Sequence, residues 1–234
     1  MPYINGFVST KRIWIISDTH SLHHSLKVPE EIDIVIHGGD CSNWRDPARN
    51  SVEVNDFMDW FSKLPIPIKI YVPGNHDTSI EAGMIVVPDN IIMLINQAVT
   101  IEGIHIYGSP VTPAFGHGWA YNVKRLSDQM KYHWDNIPDD TDILITHSPP
   151  KNVLDLVEYE HAGCELLGIR VQEINPKLHI FGHIHEQRGE IYLSRYGRTL
   201  FLNATVVWYT ASRRDYMLVN NGFIVNFEII DERE

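Results

Sequence analysis

Cysteine is scarce in this chain: 234 residues include two, Cys41 and Cys164. Two thiols make no disulfide framework, and the expectation is a reducing cytosol. Positive charge is also short. Nineteen Lys and Arg face 30 Asp and Glu, for a net charge of −11. Phosphate-backbone binding needs clustered basic side chains, so long nucleic acid is not an expected partner. The nearest basic cluster, "SRRD" (Ser212 to Asp215), is too short to form a stripe. The opening stretch "MPYINGFVSTKRIWIISD" has no uncharged apolar run long enough for a signal peptide or a membrane span. A soluble cytoplasmic protein is the expectation. Low-complexity tracts, repeats and linkers are absent too, so residues 1–234 read as a single domain with room for a substantial core. Oligomeric state leaves no mark in the sequence.

What the chain does have is a series of short runs rich in Ile and Val, which predict strands. They are "RIWIIS" (Arg12 to Ser17), "IDIVIH" (Ile32 to His37), "IKIYVP" (Ile68 to Pro73), "DILITH" (Asp142 to His147) and "KLHIF" (Lys177 to Phe181). Between the second and third, Val54, Phe57, Met58 and Phe61 recur at helical spacing and predict one amphipathic helix. "IIMLINQAVTIEGIHIY" (Ile91 to Tyr107) reads as two strands joined at "IEG". The last part, with turn signals at "YGR" and "NNG", reads as hairpins. The class is α/β (α+β): two packed mixed sheets flanked by helices.

Each of the five runs is followed closely by side chains of the metal-binding type. "SDTH" supplies Asp18 and His20, "HGGD" supplies Asp40, and "PGNHD" supplies Asn75, His76 and Asp77. "THSPP" supplies His147, and "GHIH" supplies His183 and His185. Ligands gather beyond the carboxyl ends of strands in such sheets, so the five loops should meet at one edge. Imidazole and carboxylate donors without thiolate suit Mn, Fe, Zn or Co and argue against a structural cysteine site. Two carboxylates, four histidines and one amide are too many for one ion and suit two, about 3.5–4 Å apart. With one hydroxide the pair would remain slightly positive, as a phosphoryl anion requires. His179 lies about 13 Å from His183 along a strand, too far to share an ion. His37, His105, His133 and His161 read as core or surface residues, and His23 and His24 as solvated loop residues at the rim.

In this order, "D-x-H", "G-G-D", "G-N-H-D", "T-H" and "G-H-x-H", spanning residues 18 to 185, resemble the calcineurin-like metallophosphoesterase superfamily. "GSPVTPAFGHGWAYN" (Gly108 to Asn122), "IPDDTDILITHSPP" (Ile137 to Pro150) and "PKLHIFGHIHEQRG" (Pro176 to Gly189) are similar to the metallophosphoesterase-domain-containing proteins related to class III cyclic nucleotide phosphodiesterases. The resemblance implies a four-layer β-sandwich flanked by helices, the metallophosphoesterase fold. It also implies two divalent metal ions, with manganese the first choice and iron, zinc or cobalt the alternatives. One ion would be held by Asp18, His20, Asp40 and His185, the other by Asp40, Asn75, His147 and His183, with Asp40 bridging.

A hydroxide bridging the ions would attack phosphorus in line. His76 would stabilise or protonate the departing oxygen, and Asp77 would orient His76 as the second catalytic residue. Phe115, His117 and Trp119 lie in an aromatic, glycine-rich loop that packs as a lid or stacks on a nucleotide base. Purple acid phosphatases have a tyrosine where this chain has Asn43. Ser/Thr phosphatases have Asp-Arg-Gly where it reads "CSNWRD". The expected function is phosphodiester hydrolysis on a small substrate, such as a cyclic nucleotide. The alternatives are a phosphomonoesterase or nucleotide pyrophosphatase, and a low-activity nucleotide-binding sensor or scaffold. The intact "GHIH" and the retained His76 weigh against the sensor.

Overall fold

The five apolar runs all become strands, and the chain uses them to build two mixed sheets. In the computed structural model residues 8–194, 197–212 and 215–230 are described. The first seven residues of the opening stretch, Arg195 and Tyr196 at the "YGR" turn, and Arg213 and Arg214 of "SRRD" lie outside them. The first sheet runs in the order Phe223–Ile230, Val8–Ile16, Ile34–His37, Ile68–Tyr71, Ile92–Met93. Its neighbours are parallel except the C-terminal strand, which is antiparallel. The second sheet runs Ile191–Leu193, Leu200–Asn203, Leu178–Phe181, Ile143–Thr146, Ile104–Ser109, Gln97–Ile101. Its centre is parallel and both edges are antiparallel.

Alternation along each strand sorts side chains into three cores, because successive residues point to opposite faces. Between the sheets, Ile13, Ile15, Ile34, Ile36 and Ile70 meet Ile106, Ile143, Ile145, Ile180 and Leu202. On the outer face of the first sheet, Trp14, Val35 and Tyr71 pack against Val54, Phe57 and Phe61. Those three belong to α1 (Pro47–Ser62), whose N-cap Asp46 accepts a hydrogen bond from the Arg49 amide and whose first residue is a proline suited to that place. On the outer face of the second sheet, Leu144, Phe181 and Phe201 pack against Met130, Trp134, Leu167 and Val171. These come from α3 (Asp128–Asp135) and α4 (Glu165–Ile174). The result is helix, sheet, sheet, helix: the four-layer sandwich. A fourth short helix, α2 (Thr78–Glu81), follows "PGNHD".

Two expectations for the hairpins need correction. Ile91 to Tyr107 holds three strands rather than two. Ile92–Met93 joins the edge of the first sheet, and only Gln97–Ile101 and Ile104–Ser109 form the hairpin at "IEG". At "NNG" the flanking strands do not pair with each other. Tyr216–Leu218 pairs with Val207–Tyr209, while Phe223–Ile230 crosses to the N-terminal strand. The reason is the free edge of Val8–Ile16: an eight-residue partner covers it and turns Phe227 inward to the inter-sheet core. No helix among the described residues is long and apolar enough to cross a membrane.

Candidate metal centre

All five motif-bearing strands run parallel within their sheets, so their carboxyl ends open on one edge of the sandwich. The loops leave that edge through unusual backbone. Asp18, His20, Asp40 and His183 have positive φ angles of 52°, 42°, 56° and 67°. Non-glycine residues in the left-handed region are strained by about 1–3 kcal/mol each, and such strain concentrates at functional sites. Two glycines make the close packing possible. A Cβ on Gly182 would collide with the Asp18 carboxylate and Ser17, and one on Gly74 with the Asp40 carboxylate.

Two groups of donor atoms converge here, each within 4.8 Å: Asp18, His20 and His185, and Asp40, His147 and His183. A third group, His20, Asp40 and His76, overlaps both and places Asp40 between them. His185 Nε2 lies 3.2 Å from Asp18 Oδ1 and 3.3 Å from His20 Nε2. His147 Nε2 lies 3.3 Å from Asp40 Oδ2 and 3.0 Å from Asn75 Oδ1. All seven expected ligands are therefore brought together.

Backbone carbonyls decide which nitrogen of each ring faces inward. His20 Nδ1 is 3.1 Å from the Ser42 carbonyl, and His147 Nδ1 is 2.9 Å from the Gly38 carbonyl. A carbonyl only accepts, so both Nδ1 atoms carry a proton and both Nε2 atoms face the centre. Burial pushes His20 well below the usual histidine range and His183 down to about 3, which leaves them neutral with free lone pairs. His147 differs. Burial opposes its charge, but Asp40 raises it to about 9, so a cation at this place would displace its proton. Burial also opposes charge on Asp18 and Asp40, yet His185 holds the first, and His147 and His76 the second, below the carboxylate range. His185 Nδ1 is buried with no hydrogen-bond partner. Four imidazoles, two carboxylates and one amide oxygen are a donor set that fits divalent cations.

His76 stands beside the clusters. Its Nδ1 donates to the Asn43 carbonyl at 3.1 Å, and its Nε2 is 4.0 Å from Asp40 Oδ2. This corrects the expected role of Asp77, which does not touch the His76 ring. Asp77 is fully buried and accepts from the Asp40, Cys41 and Gly74 amides, the Ser42 hydroxyl and the Tyr71 hydroxyl. It ties the second motif to the third, which makes it a positioning residue. Burial and the neighbouring Asp40 push its carboxyl up. Asn50, buried on α1, adds to this tie by donating to the Trp44 and His76 carbonyls.

A cavity of about 860 Å³ opens over the donors, lined by Phe115 and Trp119 among others. His117 is exposed and not among its lining residues, which corrects that expectation: the Gly116–Gly118 tip points it to solvent. Trp119 packs on His76 at 4.5 Å, and Phe115 on His183 at 5.1 Å. Several lining residues escaped the sequence reading, and three of them pack on site residues. The Arg45 guanidinium lies 3.6 Å over the Trp119 ring, Tyr216 stacks on His20 at 4.0 Å, and Tyr209 packs on His185 at 5.7 Å. Arg45 lies in "CSNWRD", five residues past Asp40, and only that nearness marks it.

His37 and His179, expected as structure, are buried behind the centre. His37 donates from Nε2 to Thr19 Oγ1 and accepts at Nδ1 from the Gly39 amide, which positions the first two motifs. His179 bonds Thr146 at 2.8 Å.

The sequence profile described as calcineurin-like phosphoesterase matches residues 11–187. The chain is 35% identical over 224 residues to metallophosphoesterase domain-containing protein 1 of Homo sapiens, covering 83% of this chain and 66% of that protein. It is 34% identical over 211 residues to a UPF0046 protein of Caenorhabditis elegans, covering 82% of this chain and 69% of that one. The chain thus spans about two thirds of the length of these relatives. A solved structure, phosphopantetheinyl hydrolase from Mycobacterium tuberculosis, is similar in fold with a TM-score of 0.56 at 14% identity, over 83% of this chain and 88% of that one. With the profile spanning all five motifs and the fold implying divalent metal ions, the chain belongs to the calcineurin-like phosphoesterase family.

Proposed function

We propose that this chain hydrolyses small phosphodiesters, cyclic nucleotides among them, at a pair of divalent cations. The observation that carries this is Asp40, whose carboxylate lies among both sets of donors. Asp18, His20, Asp40 and His185 would hold one ion, and Asp40, Asn75, His147 and His183 the other. Two such ions, manganese first among them, supply Lewis acidity toward the phosphoryl oxygens and an activated water as nucleophile.

The chain's own residues supply the rest. The Asn43 carbonyl fixes the His76 ring with Nδ1–H as donor, so the doubly protonated ring would give its Nε2 proton to the departing oxygen and be left neutral. Asp77 and Asn50 hold the backbone around Asn75 and His76, keeping ligand and acid in register. Trp119 and Phe115 offer aromatic surface to a base, and the Arg45 guanidinium, packed 3.6 Å over the Trp119 ring, keeps that ring in place. The cavity volume suits a mononucleotide-sized ligand. A net charge of −11 fits small substrates better than long nucleic acid. We read residues 1–234 as one such domain.

The test supplies Mn²⁺ and compares bis-aryl with mono-aryl phosphate esters, then cyclic with linear nucleotides. Faster turnover of the diesters supports the proposal. Hydrolysis confined to monoesters or pyrophosphates, or tight nucleotide binding without turnover, overturns it.

A further inference from the structure

A second set of metal-type side chains lies outside the centre described above. His23, His24 and Asp56 bring three donor atoms within 4.8 Å of one another. His23 and His24 form a short turn, His23–Ser25, in the loop between the first two strands, and Asp56 lies on α1. His23 Nε2 is 3.1 Å and His24 Nε2 3.2 Å from the same oxygen, Asp56 Oδ2. A tetrahedral ion bound at about 2.0–2.1 Å holds its ligand atoms about 3.3 Å apart, so the spacing already matches.

His23 carries the stronger indication. Its side chain is fully buried, and its Nε2 is aimed at the Asp56 carboxylate 3.1 Å away. The ring cannot turn away from that direction. Phe57 meets it edge-on at 5.4 Å, and Trp60 packs at 5.1 Å, both on the same helix as Asp56. His24 and Asp56 are 60% and 57% exposed, so an ion could enter from solvent and keep its fourth position for water.

We infer that His23, His24 and Asp56 form a separate cation site for a borderline divalent ion, with zinc the best match. Two imidazoles and one carboxylate are a zinc-type donor set, whereas manganese and magnesium prefer more oxygen. The ion would pin the loop that carries Asp18 and His20 to α1. A doublet of histidines close after "SDTH" and an aspartate on the helix is all that marks the site in the sequence.

Equilibrium dialysis against Zn²⁺, with bound metal counted by elemental analysis, tests the site in the full chain. Wild type is compared with His24→Ala, Asp56→Asn and Asp40→Asn. The two surface changes remove exposed side chains, and either alone decides the outcome. Each should bind one Zn²⁺ fewer per chain than wild type while retaining Mn²⁺-dependent hydrolysis. Asp40→Asn should keep the zinc that these two lose. Equal zinc in wild type and both surface variants overturns the site, whatever the catalytic centre does.

Discussion

His76 has one ring nitrogen tied to the Asn43 carbonyl and the other free toward the cavity. That division defines its test: His76→Ala should keep bound Mn²⁺ and lower kcat about 10²-fold or more, the usual scale for a lost general acid. Unchanged turnover would remove His76 from the chemistry. Asp77 should behave otherwise. Its oxygens accept from three amides and two hydroxyls, and an asparagine would point an NH₂ at some of these donors. Asp77→Asn should cost about 3 kcal/mol or more in urea unfolding, since buried donors left unpaired cost about 1–3 kcal/mol each. His183, a proposed ligand, has a strained φ of 67°. In metal-free protein, His183→Gly should unfold at equal or higher urea concentration while losing hydrolysis; marked destabilisation would contradict the strain assignment.

At the scale of elements, the pattern of Ile and Val made the parallel strands legible, because they are buried on both faces and read as continuous runs. α1 was legible for a different reason: Val54, Phe57, Met58 and Phe61 form an apolar stripe at helical spacing. α3 and α4 were not, being 8 and 10 residues long with only two buried side chains each. Strand pairing was the weakest point. "NNG" marks a turn but cannot tell which strand the next one joins, since pairing depends on the free edge of Val8–Ile16, some 200 residues away. The converging donor residues were legible because their motifs sit close after strands. Arg45, Tyr209 and Tyr216 were not, since loop folding alone brings them to the cavity.

The strand Leu178–Phe181 carries its own pH test. Burial pushes His179 down to about 3, against about 6.5 in an unfolded chain. Below pH 6.5 the unfolded chain takes up a proton that folded His179 refuses, so stability falls as pH drops toward 3. His179→Gln should flatten that fall by about 1.4 kcal/mol per pH unit between pH 5.5 and 4, measured by urea unfolding. An unchanged slope would mean that His179 titrates normally in the folded state.

Across the whole molecule, two sheets bring five loops from residues 18 to 185 to one edge, and three apolar cores hold them there. The strained backbone at Asp18, His20, Asp40 and His183 is tolerated because that scaffold fixes it from several sides. Asp40 is the point where the two halves of the centre meet, so the proposal depends on it most. Asp40→Asn should therefore be measured beside wild type, with bound Mn²⁺ and bis-aryl phosphate turnover read on the same samples. Both should fall together, metal depleted and hydrolysis abolished. A variant that is fully metallated and active would contradict the proposal.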